Sequence, residues 1–64
     1  MRLNERQIKA MLYLAEQGKL TNFKYQKLNA VGKTVATEEL QDLIEKNLII
    51  QAGTKGRGSK YLLK

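Results

Sequence analysis

Apolar residues recur early in the chain at Ile8, Met11, Leu12 and Ala15. Their i, i+3, i+4, i+7 spacing predicts an amphipathic helix with that stripe turned inward. Asn4-Glu5-Arg6-Gln7 can close a capping box, with Leu3 and Ile8 as a hydrophobic staple and Gly18 as a left-handed stop. Lys19-Leu20-Thr21 leaves room for a strand of two or three residues. Thr21 or Asn22 then offers an N-cap for a short second helix, Phe23 to Asn29, whose Phe23, Tyr25 and Leu28 read as core rather than a ligand cage. Ala30-Val31-Gly32 forms the tight connection, with Val31 pointing inward. A third helix runs from Lys33 to about Lys46, burying Ala36, Leu40, Leu43 and Ile44, and Asn47 is its left-handed stop.

Beyond it the pattern changes. Leu48-Ile49-Ile50-Gln51-Ala52 and Lys60-Tyr61-Leu62-Leu63-Lys64 read as two strands joined by the basic, glycine-rich segment 53–59. The order helix, short strand, helix, helix, strand, strand predicts an α+β winged helix-turn-helix: three helices, a short strand and a C-terminal two-stranded wing. No repeat or low-complexity segment competes with it.

Composition narrows the chemistry. At 64 residues and 42% hydrophobic, the expectation is a single winged helix domain over residues 1–64, whole or excised from a larger protein. The chain has neither His nor Cys, one serine (Ser59) and one aspartate (Asp42). It therefore lacks an ordinary general base near neutral pH, a thiolate, the parts of a hydrolytic triad and the usual zinc ligands. The expectation is no enzyme and no cofactor. Gly32-Lys33-Thr34 resembles the end of a phosphate-binding loop, but Lys27 stands where the first glycine is required, and segment 53–60 has Ser59 after its last glycine where lysine is needed. No secretory signal is visible, and the apolar run from Ala10 to Ala15 falls far short of the roughly 20 residues of a membrane span. A cytoplasmic protein without a membrane partner is expected, the lack of cysteine being compatible with a reducing compartment.

Four segments carry a family resemblance: Leu3 to Gln7, Gly18 to Asn22, Val31 to Leu40 and Gly56 to Tyr61. In this order and spacing they resemble the winged helix module of DeoR-type regulators. More narrowly, they resemble the C-terminal module of RecG-related, Schlafen-like ATP-binding putative regulators and of some Fic-type proteins. The resemblance implies DNA binding, with the second helix bracing and the third entering the major groove. If the parent binds ATP, as the narrower resemblance implies, that site lies outside this chain. Family members commonly place Ser at Gly32 and basic or hydroxyl residues at Lys33, Thr34, Val35 and Glu38. This chain departs at Gly32, Val35 and, most seriously, Glu38.

The net charge of +6 is unevenly spread: +1 over residues 1–18, +4 over 19–33, −4 over 34–45 and +5 over 46–64. A basic domain of this kind suits a polyanionic partner. The third helix is nonetheless acidic, with Thr34, Glu38, Gln41, Asp42 and Glu45 opposite its apolar stripe. Only its first turn suits a groove: Lys33 for phosphate, Thr34 and Thr37 for phosphate or base edges, Val35 for a thymine methyl. The same threonines could instead cap the turn. Lys55, Arg57 and Lys60 give the wing its case, Arg57 as a minor-groove candidate, although a basic tip also discourages edge pairing. Lys24 and Lys27 can hold phosphates or simply be solvated. Tyr13 and Tyr61 do not make a stacking platform, since Tyr61 alternates with Leu63 and packs. The principal expectation is a duplex DNA-binding module of a transcriptional regulator. Its competitors are a protein-interaction or homodimerising winged helix acting through the acidic third helix, and an accessory domain of an ATP-dependent helicase-like enzyme.

Overall fold

The computed structural model describes residues 2–53 and 60–64. Helix α1, Glu5–Gln17, starts where the sequence places it. Asn4 Oδ1 accepts the Gln7 amide at 2.7 Å while Gln7 Oε1 accepts the Asn4 amide at 3.1 Å, closing the capping box. Gly18 at φ 84° stops it, its N–H bonded to the Leu14 carbonyl. A side chain there would be strained by the backbone conformation, which favours glycine.

The face that α1 buries differs from the one its apolar spacing predicts. Gln7, Ala10 and Leu14 are buried, with Leu3 and Met11 half-buried against the core, whereas Ile8 and Ala15 are exposed and Leu12 is 64% exposed. Ile8 therefore contributes no buried staple. The reason lies across the fold: Gln7 Nε2 donates to the Glu39 carbonyl at 3.1 Å and to Asp42 Oδ2 at 2.9 Å. An amide at position 7 can be buried there because both of these acceptors lie within its reach.

Thr21 caps helix α2, Asn22–Asn29, through a 3.1 Å bond from the Lys24 amide to its hydroxyl. Tyr25 is fully buried and Leu28 half-buried, but Phe23, expected inside, is 66% exposed. Two residues from Tyr25 on an eight-residue helix, Phe23 falls on the opposite side. There its ring lies under the Lys27 ammonium, 5.2 Å from the centroid. The turn that follows holds Ala30 at φ 53° and directs Val31 onto the core.

Helix α3, Lys33–Glu45, buries Ala36, Leu40 and Leu43, with Ile44 half-buried. Asn47 at φ 61° ends it as predicted, its N–H bonded to the Ile44 carbonyl and that of Leu48 to Leu43, a Schellman closure. The amino end is different. Gly32 is the N-cap, at φ −82° and ψ 175°, with no side-chain cap bond, so neither Thr34 nor Thr37 caps the helix. A Cβ at Gly32 would meet nothing within 4 Å. Gly32→Ser is accordingly expected to stabilise the chain by about 0.5–1 kcal/mol, through a cap bond and a less flexible unfolded state. A rise in the urea midpoint at unchanged m-value checks it, and a fall would show that the turn has no room for the hydroxyl.

Strands β1, Ile49–Ala52, and β2, Lys60–Leu63, pair antiparallel with Ile49 opposite Leu63 and Ala52 opposite Lys60. The predicted short strand after α1 is a single bridge: Leu20 and Tyr61 exchange backbone bonds of 2.9 and 2.7 Å, which makes β2 the middle of the sheet. Leu20, Ile49 and Tyr61 close the core against the three helices. Burial raises the Tyr61 hydroxyl pKa above its ordinary value.

Candidate nucleic-acid interface

Helix α3 presents Lys33, Thr34, Thr37, Glu38, Gln41 and Glu45 to solvent. Lys33 and Thr34 share its first turn with the amide groups that Gly32 leaves uncapped, an arrangement suited to phosphate oxygens. Thr37 is held in place, since Asn22 Nδ2 of α2 donates to its hydroxyl at 3.0 Å and Asn22 Oδ1 accepts from Gln26 at 2.6 Å. Val35, proposed for a thymine methyl, is half-buried.

The basic residues of α2 stand elsewhere on that helix. Lys24 lies over the Tyr13 ring of α1, 5.8 Å from its centroid, on the flank of α2 away from Asn22. Lys27 covers Phe23. Both are exposed, but neither is joined to the α3 residues by a contact among those described. Lys60 is exposed at the start of β2. Lys55 and Arg57 lie outside the described residues.

Polar contacts tie α3 to α1 and α2 beside the apolar core, and the spacing of apolar residues gave no sign of them. The Glu39 side chain is only 12% exposed. Its Oε1 accepts from the Tyr25 hydroxyl at 2.5 Å, its Oε2 from Asn4 Nδ2 at 3.0 Å, and Arg6 donates to both oxygens from Nε at 3.0 Å. One carboxylate thus ties α1 and α2 to α3. One turn on, Asp42 Oδ2 accepts from Gln7 and from Lys46, whose ammonium also reaches the Arg2 carbonyl at 3.0 Å. Asp42, grouped with the outer face by periodicity, is therefore half-buried and engaged.

The hydrogen bond from Arg6, with smaller contributions from Tyr25, Arg6 charge and Asn4, holds the Glu39 carboxyl below its ordinary value of 4.5, against the opposing effect of burial. Burial, and then the bond to Glu39, pushes the Tyr25 hydroxyl up. The Lys46 and Gln7 bonds hold Asp42 down as well. A depressed carboxyl stabilises the fold above its unfolded value and loses that contribution as pH falls through the folded value. Stability is therefore expected to drop as pH falls below about 4.5, and Glu39→Gln to flatten that part of the profile. Urea midpoints at a series of acidic pH values check this; parallel profiles for the two proteins would refute it.

The fold with this exposed third helix defines a winged helix-turn-helix domain. The chain is similar to the DIP2311 protein from Corynebacterium diphtheriae, with TM-score 0.87 and 27% identity over 94% of this chain and 11% of that one. It is also similar to a MarR family transcriptional regulator from Silicibacter pomeroyi, with TM-score 0.84 and 16% identity over 97% of this chain and 42% of that one. The chain thus spans less than half of either neighbour. No family model matches it, and no curated protein does. Among the described residues no helix is long and apolar enough to cross a membrane.

Proposed function

We propose that this domain binds duplex DNA as the recognition module of a transcriptional regulator. The observation that carries the reading is the amino-terminal turn of α3: exposed, uncapped, bearing Lys33 and Thr34, and set at a fixed angle on a winged helix scaffold. The basic sequence of the wing, with Lys55, Arg57 and Lys60, supplies a second contact to phosphates or a minor groove. The structural likeness to a MarR family regulator supports the class of function. A DeoR-like or RecG-related parent, acting in the cytoplasm, is the finer reading, supported by the sequence resemblance alone. The chain acts by binding and carries no catalytic site of its own.

A second reading has its own observation: Glu38, Gln41 and Glu45 form an exposed acidic face on α3 that would suit a basic protein partner or a second copy. Titration of a labelled mixed-sequence duplex at about 50 and about 200 mM salt separates the two. If four phosphates are contacted, affinity should fall about a hundredfold between those conditions. Absence of binding at the lower salt would favour the protein partner. Glu38→Arg replaces repulsion by attraction at the groove and is expected to raise affinity for the mixed duplex severalfold. Unchanged affinity would remove α3 from the interface.

A further inference from the structure

We infer that Glu38 is a specificity-determining residue that makes the domain select duplexes offering a cytosine amino group in the major groove. The inference rests on the DNA-binding reading and deepens it. Helix α3 carries four acids, and the fold separates them into two kinds. Glu39 and Asp42 are engaged: Arg6 pairs with the first, with hydrogen bonds from Asn4 and Tyr25, and Lys46 with the second, with a hydrogen bond from Gln7. Glu38 and Glu45 remain in solvent. No hydrogen bond or ion pair reaches Glu38 among the described residues.

Glu38 is one turn from Thr34 and one turn from Gln41, on the face that a recognition helix turns to the bases. Glu45 lies two turns further along, beyond the part that enters. An ionised carboxylate only accepts hydrogen bonds. In the major groove guanine offers two acceptors, N7 and O6, and thymine offers O4, so both repel it. Adenine sets its N6 amino group beside the N7 acceptor. Adenine N6 thus stands between N7 and the O4 of its paired thymine. Cytosine presents its N4 amino group at the end of the pair's edge with an acceptor, guanine O6, on one side only, and is the base that best accommodates Glu38. The charge also weakens approach to the backbone at every site, so Glu38 selects by penalising mismatched sites as much as by rewarding the matched one.

The test is selection from a randomised duplex pool by the wild-type chain, Glu38→Ala and Glu38→Gln, read by sequencing alongside affinity for a mixed duplex. The wild type should enrich cytosine about tenfold at one position. Glu38→Ala should lose that preference while its affinity for mixed duplex rises severalfold. Glu38→Gln should shift the same position toward adenine, whose N6 and N7 suit an amide. Identical base preferences in all three, with affinity rising uniformly in the variants, would show that the carboxylate acts only as a charge and overturn the inference. Salt-dependent binding without any preference in the wild type would overturn it while leaving the DNA-binding reading intact. No duplex binding at low salt would overturn both.

Discussion

Replacing Tyr25 by alanine is expected to remove a large share of the stability of the fold. The ring is fully buried among Leu14, Leu20, Leu40 and Leu43, and its hydroxyl donates to Glu39 at 2.5 Å. Removing a buried aromatic side chain costs about 3–5 kcal/mol. A domain of 64 residues has only roughly 3–10 kcal/mol in total at the usual stability per residue. Tyr25→Phe keeps the ring and removes the hydroxyl, and should cost about 1–3 kcal/mol, since Glu39 retains Arg6 and Asn4. Circular dichroism during urea titration distinguishes the two. An alanine variant destabilised by less than about 1 kcal/mol would mean that the core collapses around the gap.

The second large effect concerns binding. Reversing the wing charges with Lys55→Glu and Arg57→Glu together should lower duplex affinity about fiftyfold or more near 0.1 M salt and reduce the salt slope by about two. Each lost phosphate contact removes about 0.9 from that slope. A urea midpoint measured on the same variant separates a loss of binding from a loss of fold. An unchanged affinity would take the wing out of the interface and leave α3 to carry it.

These expectations depend on different kinds of information. The Asn4 box, the Gly18 and Asn47 stops, the inner stripe of α3 and the two strands all arise from bonds or periodicities within a few residues, and each was legible before the fold was known. The case for the wing rests on composition and order alone. In α1 the same reasoning chose the wrong face, because Ile8, Met11, Leu12 and Ala15 form as regular a stripe as the one that is buried. Phe23 looked like core by its hydrophobicity, although its spacing of two residues from Tyr25 sets it on the opposite side of the helix. Among the candidate site residues, Thr37 gained a partner in Asn22 and Lys24 one in Tyr13 that no spacing announced.

The sequence by itself determined the element order, the caps, the uneven charge and the absence of ordinary catalytic groups, because each is a property of composition or of neighbours along the chain. Tertiary structure alone decided which face of α1 is buried, which acids of α3 are neutralised and which remain free. The Glu39 and Asp42 contacts with α1 join residues 33 to 35 positions apart, and Tyr25 lies 14 positions from Glu39. Over such separations a hydrogen bond leaves no periodic trace, yet a buried polar group must find its partner or lose its hydration without compensation. That requirement accounts for the partners of Gln7, Glu39 and Asp42, while Ile8 and Glu38 are left on the outer faces of their helices.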